Sequence, residues 1–240
     1  MSHLSTIDRP GPVREAEEFL YIVTHDLKAF ARAMCTLPGW IEEDLADAGL
    51  TLPAAVAGDM AMLRDYARRL DEALDALTDL SRVGRLADAP DTHDLQALAA
   101  RHCAALPGRP RLDCTVACEP LFIRGPGNDL DRLFSAVISN AALHHDRDFG
   151  TLRIEAAPKN NRIEITVTDD GPGIPPQHAE TVFAPLATLR PKSDTGRPGI
   201  GLAIARKVVR GLGGDICVVR SEVARGCCLR FDLPRADSPS

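Results

Sequence analysis

The sequence predicts an α+β protein in which a long helical hairpin precedes a domain of mixed strands and helices. Up to residue 86, apolar residues recur every three or four positions, as on one face of a helix. After residue 88, short alternating segments typical of strands are interspersed with helical segments. We therefore expect a short N-terminal extension at 1–14, a helical hairpin at 15–88 and a second domain at 89–240.

The first helix of the hairpin is predicted from about Glu15 to Ala48, with a bend at Pro38-Gly39 because proline interrupts helical hydrogen bonding. Its predicted apolar stripe consists of Phe19, Val23, Leu27, Phe30, Met34, Leu37 and Ile41. After a turn at 49–53, a second helix is expected from Ala54 to Leu86. Its heptad-like seam consists of Leu63, Leu70, Leu74 and Leu77. A lone hairpin cannot bury two such stripes, so the pattern predicts a homodimer built as a four-helix bundle.

The second domain is predicted to be a mostly antiparallel sheet with helices on one face, preceded by a polar hinge at Asp88–Asp91. Its predicted helices are Leu95–Leu106, Asp129–His144 and Gly199–Gly211. Its predicted strands are Leu112–Ala117, Leu121–Arg124, Leu152–Ala156, Arg162–Thr168, Ile216–Arg220 and Cys228–Leu233.

Composition excludes several classes of function. The net charge is -6 and no stretch reads as a basic face, which argues against nucleic-acid binding. Apolar runs fall far short of the roughly 18 residues that a membrane span needs. The polar N-terminus, with its prolines, is unlike a secretory signal. The seven cysteines lack zinc-ligand spacing, so reduced thiols and a cytoplasmic location are expected.

His25 is the candidate nucleophile of the hairpin. At about 100° per residue, it lies roughly 150° from the centre of the apolar stripe and therefore points to solvent. A neutral imidazole nitrogen can attack phosphorus if a base accepts the other ring proton, and the adjacent Asp26 suits that role. The alternative for this residue alone is an ordinary solvated histidine.

Asp169-Asp170-Gly171-Pro172-Gly173 directly follows a predicted strand. Gly171 and Gly173 lack side chains where a flat ligand would approach the backbone. Asp169, at the strand end, can accept a hydrogen bond from an exocyclic amine such as that of adenine. The alternative is a simple glycine-proline turn.

Two further segments favour a site for phosphates and a metal ion. Gly199 and Gly201 precede an amphipathic helix, whose free N–H groups and dipole attract anions. Asn140 lies in an apolar helical run, where its amide oxygen could ligate Mg²⁺; the alternative is a helix Asn bonded to backbone. The neighbouring His144 and His145 have no further ligands at metal-binding spacing.

Taken in order, these motifs resemble the sensor histidine kinases of two-component signalling, from about residue 15 to 235. His25-Asp26-Leu27 resembles the family's H box, Asn140-Ala141 its N box, Asp169–Pro175 its G1 box, and Gly199–Ile204 its G2 box. Two more segments are similar to the phytochrome-type second helix and to the closing strand hairpin, namely Asp79–Arg85 and Arg225–Pro234.

The resemblance implies an α/β sandwich of the Bergerat (GHKL) ATPase type that binds ATP and Mg²⁺. It implies that Asp169 reads adenine and that Asn140 holds Mg²⁺. The residues implied to shape the nucleotide pocket and its lid are Gly171, Gly173, Gly199, Gly201 and, within the G2 box, Leu202. The lid would run from about 176 to 198, with Phe183 as its aromatic residue and Arg190 and Lys192 near the triphosphate, unless these two are simply solvated.

The implied activity is autophosphorylation of His25, followed by transfer to an aspartate in the receiver domain of a response regulator. No recognisable sensor domain precedes Glu15, so the signal would come from a separate sensor protein or from a removed segment. Ala29 replaces the Thr or Asn that the family uses to position water, which predicts weak phosphatase activity.

Other departures from the family pattern keep alternatives open. Ala136, Leu143 and Arg197-Pro198 stand where the family often has Asn, a basic residue and Gly-Thr. The chief alternative is therefore a phosphotransfer or scaffold protein with a degenerate ATP-binding domain. A third is an ATP-binding serine kinase of the anti-sigma type.

Overall fold

The chain forms two structural units, Met1–Ser81 and Arg82–Ser240, in a computed structural model. The structure describes residues 12–84, 88–189, 198–219 and 225–238, and only the backbone of residues 12–21. Each unit is described by itself below.

The first unit is a hairpin of helix α1 (Pro12–Asp47) and helix α2 (Ala54–Arg82). Helix α1 begins three residues before its predicted start at Glu15, ends one residue before Ala48 and continues through Pro38; a bend at that residue remains a prediction. The predicted end of α2 at Leu86 is wrong, because the helix stops at Arg82 and is followed by Gly84 with a φ of 78°. Glycine reaches this left-handed conformation easily and commonly ends helices. Leu86 itself lies outside the described residues.

Residues at heptad spacing, most of them small, form the seam between the two helices. Thr24, Ala31 and Pro38 are buried on α1, and Ala67, Leu74 and Ser81 are buried on α2. Contacts across the seam run in opposite chain directions, as an antiparallel pair requires: Thr24 Oγ1 lies 3.4 Å from Thr78 Oγ1, and Glu42 accepts from Arg64 at 2.7 Å. Most of the large apolar residues therefore stay outside the seam. Those exposed in the single chain include Leu27, Phe30, Leu37, Ile41, Leu63 and Leu70.

The second unit is a seven-stranded sheet covered by helices. Its strands are β1 (Asp91–Asp94), β2 (Arg111–Ala117), β3 (Phe122–Gly125), β4 (Phe149–Lys159), β5 (Arg162–Asp169), β6 (Ile216–Val219) and β7 (Cys228–Ala236). Its helices are α3 (Leu95–Ala104), α4 (Gly127–His144) and α5 (Gly201–Gly211).

Strand order in the sheet is β1-β3-β7-β5-β4-β2, with β6 also paired to β7. Every pairing is antiparallel except β2 with β4, which confirms the predicted, mostly antiparallel sheet. The predicted hinge at 88–91 overlaps β1, which was missed because Asp91–Asp94 carries no alternating apolar pattern. Antiparallel pairing with β3, rather than an apolar pattern of its own, forms this strand.

The alternation of buried and less buried side chains along β5 determines where the candidate site lies. Ile163, Ile165 and Val167 are buried on one face, as predicted, and join the core formed by α4 and the sheet. Within that core Phe134 of α4 meets Phe231 of β7 edge-on, with ring centroids 6.2 Å apart. Asp169 is the last residue of β5, so packing of the strand holds its carboxylate at the sheet's end.

Candidate functional site

Asp169 is fixed at the end of β5 by the chain segment before β7. Its backbone N–H donates to the Cys227 carbonyl at 3.0 Å. Its Oδ1 accepts the backbone N–H groups of Gly171 at 2.9 Å and Cys227 at 3.2 Å. Burial raises the pKa of Asp169, an effect that these two N–H donors partly offset. Since both bonds end on Oδ1, Oδ2 is the oxygen that can accept from a ligand's amine.

The glycines of the following turn permit close backbone contact. Gly173 has a φ of 79°, and a Cβ there would lie 2.6 Å from the Gly226 carbonyl oxygen. Gly226 has a φ of 114°, and a Cβ on it would overlap the carbonyl oxygen of Asp169. A side chain at either position would therefore push the Asp169 turn away from the segment that holds it.

The start of α5 lies beside α4. A Cβ at Gly201 would lie 3.8 Å from the Ala136 Cβ, one helical turn before Asn140. Ile200 precedes α5 and its apolar side chain cannot cap the first N–H groups, which stay available to an anion. Gly199 has a φ of 67°, and a Cβ on it would overlap the Ala187 carbonyl oxygen, whereas Leu202 packs in the core.

Asn140 fits a magnesium site that is completed by the nucleotide. Asn140 is half-buried and lies one helical turn after Ala136, the residue beside Gly201, and Ala136 offers no second ligand. Mg²⁺ commonly takes few protein oxygens and fills its shell with phosphate oxygens and water. Within the described ranges, no cluster of His, Cys, Asp and Glu could hold a metal ion by itself.

The predicted lid is described from 176 to 189 and again at Pro198. It begins with two short 3-10 turns, Pro176–His178 and Thr181–Phe183. Phe183 is buried against Arg206 of α5. Arg190, Lys192 and Arg197, which were considered from the sequence, lie outside the described residues.

His25 lies on the outer surface of the hairpin, as predicted. Its neighbour Thr24 is buried in the seam, so the next residue along the helix turns away from α2. The His25 side chain is 71% exposed, and its Nδ1 lies 3.3 Å from Asp26 Oδ1. Asp26 is equally exposed, so the pair is accessible to a large incoming group.

Three residues around Asp169 were missed by sequence reasoning. Gly226 and Cys227 hold the turn from the segment before β7, and His145 contacts Asp170 with a fully buried side chain. A glycine directly before a strand was a usable signal for Gly226. For His145 the sequence offered only its position after α4.

Residues 125–237 match the family model described as "Histidine kinase-, DNA gyrase B-, and HSP90-like ATPase". The chain is 28% identical, over 92% of its length, to the methanogenesis regulatory histidine kinase FilI of Methanothrix harundinacea. It is also 28% identical, over 92% of its length, to cyanobacterial phytochrome B of Nostoc sp.. The chain spans only 25% of the first relative's length and 29% of the second's.

Solved structures agree with these relatives. The crystal structure of full-length ShkA in complex with AMPPNP matches 93% of this chain and 47% of its own, with a TM-score of 0.66 and 19% identity. The mycobacterial sensor histidine kinase MprB matches 60% of this chain and 97% of its own, with a TM-score of 0.54 and 27% identity. No helix in the described part of the chain combines the length and apolarity needed to cross a bilayer. The second unit therefore has the GHKL-type ATPase fold of the family matched by residues 125–237, and the chain is similar to histidine kinases over 92% of its length.

Proposed function

We propose that this chain is an ATP-dependent protein kinase that phosphorylates its own His25 and passes the phosphoryl group to an aspartate of a response regulator. The observation that carries the proposal is the exposure of the His25–Asp26 pair in a chain whose second unit has an ATPase fold. A buried imidazole could not receive a phosphoryl group from a separate unit.

Nucleotide binding is assigned to the end of β5 and the start of α5. Asp169 Oδ2 would accept from the adenine amine, while Gly171 and Gly173 leave room for the flat base. Gly199 and Gly201 would bring the N–H groups of α5 to the phosphates. Asn140 would hold Mg²⁺, which supplies charge neutralisation at the phosphates when it is bound.

The chemistry needs a neutral imidazole with one defined tautomer. Asp26 beside Nδ1 favours the Nδ1–H tautomer, which places the lone pair on Nε2. Nε2 would form a bond to the γ-phosphorus while the bond to the bridging oxygen breaks and ADP leaves with its electron pair. Asp26 would then accept the Nδ1 proton.

The proposed partners follow from the hairpin. Its exposed apolar residues support a homodimer through a four-helix bundle. The receiver domain of a response regulator would accept the phosphoryl group, and a separate sensor protein would provide the signal. We assign phosphotransfer to residues 15–88, catalysis to 89–240 and no role to the extension at 1–14. The seven unpaired cysteines favour a reducing, cytoplasmic location.

A phosphotransfer scaffold without kinase activity is the second candidate. Ala136 supplies no second amide near the magnesium site, and Leu143 supplies no positive charge after it. Such a protein would keep His25 as a phosphoryl acceptor but would not use ATP.

Incubation of the purified full chain with γ-labelled ATP and Mg²⁺ tests the proposal. The kinase predicts an acid-labile label on the wild type that is absent from His25→Gln. No label from ATP, together with phosphorylation of His25 by another phosphorylated protein, would support the scaffold instead. An acid-stable label on a partner serine would identify an anti-sigma-type serine kinase.

A further inference from the structure

We propose that His145 is a positioning residue for the nucleotide site: it holds Asp170 and thereby the Asp169 turn that reads adenine. The inference rests on the proposed function and adds a residue outside the motif segments named above. Its basis is a buried imidazole that links the end of α4 to the ends of β4 and β5.

The His145 side chain is completely buried, and both of its nitrogens have partners. Nε2 lies 3.2 Å from Asp170 Oδ1. Nδ1 lies 3.0 Å from the Arg147 carbonyl oxygen and 3.2 Å from the Arg147 backbone nitrogen. Two directed contacts fix the orientation of this buried imidazole, because losing either partner would leave a buried polar atom without a hydrogen bond.

The arrangement keeps a donor aimed at Asp170 in both protonation states. In the neutral Nε2–H tautomer, Nε2 donates to Asp170 and Nδ1 accepts from the Arg147 N–H. In the imidazolium, Nε2 still donates to Asp170, and Nδ1–H donates to the Arg147 carbonyl. The contact to Asp170 is charge-assisted in either case, since the acceptor is a carboxylate.

Asp170 passes this restraint to the turn. Its Oδ1 also accepts the Thr151 N–H at 2.6 Å, which ties the turn to β4. Burial opposes ionisation of Asp170, but the donors from Thr151 and His145 outweigh it and hold the pKa of the carboxyl below its usual range. The ionised Asp170 is therefore locked beside Asp169 by donors from two separate elements.

Two glycines make room for the imidazole. A Cβ at Gly150 would overlap His145 Nε2 and would lie 2.8 Å from Asp170 Oδ1. A Cβ at Gly171 would lie 3.5 Å from His145 Cδ2 and 2.9 Å from Asp169 Oδ1. The ring thus fills the space that a side chain at position 150 would need, and it lies beside Gly171, the glycine whose N–H donates to Asp169.

His145 also connects the two halves of the proposed site. It is the residue directly after α4, the helix that carries Asn140, and its contact reaches the turn after β5. A shift of the α4 end would therefore move the adenine turn together with the magnesium ligand.

The test compares His145→Gln with His145→Leu in the full chain. Gln keeps an N–H donor close to the position of Nε2, whereas Leu fills the space without a donor. Affinity for a fluorescent, non-hydrolysable ATP analogue and thermal unfolding are both measured. We expect Leu to weaken affinity about tenfold, as loss of one charge-assisted hydrogen bond implies, and Gln to stay within about threefold of the wild type.

A double-mutant cycle with Asp170→Ala separates positioning from general packing. If His145 acts through Asp170, adding His145→Leu to Asp170→Ala weakens affinity no further. Asp170 is 37% exposed, so Asp170→Ala is expected to fold. If His145→Leu does not fold, the inference requires that Asp170→Ala alone weakens nucleotide affinity about tenfold.

Three outcomes would overturn the inference: unchanged affinity in His145→Leu, equal losses in the Gln and Leu variants, or additive losses in the cycle. Each of these presupposes that the wild type binds the analogue. A folded wild type that binds no adenine nucleotide would overturn the proposed function as well, so the two failures are distinguishable.

Discussion

The guanidinium carbon of Arg206 lies 4.2 Å from the centroid of the Phe183 ring. The same guanidinium donates to both carboxylate oxygens of Glu180, at 2.5 and 2.8 Å. Phe183 is buried, and Arg206 projects from α5, the helix that follows the G2 glycines. The contact therefore ties the described start of the proposed lid to the helix proposed to bind the phosphates.

Arg206→Ala should destabilise the second unit far more than Glu180→Ala does. Removing Arg206 exposes the face of a buried aromatic ring and leaves its packing incomplete, at a cost of about 2 kcal/mol. Glu180 is largely solvent-exposed, and exposed ion pairs contribute little. Urea unfolding of both variants measures the difference; equal losses would mean that the ion pair, rather than the ring contact, fixes the lid.

Gly226→Ala should abolish nucleotide binding by displacing the Asp169 turn. The new Cβ would overlap the Asp169 carbonyl oxygen, and the φ of 114° is strained for alanine, so we expect a loss of stability of about 2–3 kcal/mol. Gly211→Ala is the matched control, because nothing lies within 4 Å of a Cβ there. Thermal unfolding and binding of an ATP analogue give the two readouts, and normal binding by a folded Gly226→Ala would refute the described role of this contact.

As the pH is lowered, nucleotide affinity should be lost at a higher pH than it would be if Asp169 had the pKa of an ordinary aspartate. Burial raises the pKa of Asp169, so this carboxyl takes up a proton earlier as the pH falls. The ionised form is the stronger acceptor for the adenine amine, so affinity is full above the raised pKa and is lost below it. Titration of the dissociation constant between about pH 8 and pH 4 covers this window.

Asp169→Asn is the control for that titration. Protonation of the nucleotide affects binding to both proteins equally, but the variant lacks the carboxyl at position 169. It should bind more weakly, and the pH-dependent difference from the wild type should disappear. Parallel pH profiles for the two proteins would show that Asp169 does not bind the base in its ionised form.

Phe30→Glu should dissociate the proposed dimer. Phe30 is 65% exposed in the single chain and belongs to the apolar stripe outside the hairpin seam. Burying a glutamate against a second copy would cost several kcal/mol without a partner charge. Arg32→Glu places the same residue at an exposed position about 200° around the helix from Phe30 and should leave the dimer intact. Sedimentation equilibrium decides the matter, and a monomeric wild type would contradict the four-helix bundle.

Local periodicity was sufficient to predict the hairpin and much of the sheet. The helical pattern placed His25 on the outer surface, and alternation along β5 placed Asp169 at a strand end. Both conclusions depend only on residues that are neighbours in sequence, where side-chain direction follows from the period of the element.

Contacts between distant parts of the chain were beyond that reasoning. Cys227 and Asp169 are 58 residues apart, and His145 and Asp170 are 25 apart, yet each pair is joined by a hydrogen bond. Mostly small residues, with Leu74, line the hairpin seam, because Thr24 and Thr78 let the helices approach while most of the larger side chains stay outside. Strand β1 forms because β3 offers an edge, which no propensity of Asp91–Asp94 reveals.

The most direct test of the account is to locate the phosphoryl group after incubation of the full chain with ATP and Mg²⁺. Peptide mass spectrometry at neutral to alkaline pH preserves phosphohistidine and identifies the modified residue. The account predicts phosphorylation at His25 that is strongly reduced in Asp169→Asn at the same ATP concentration. A wild-type protein that binds ATP but carries the phosphoryl group on another residue, or on none, would contradict it.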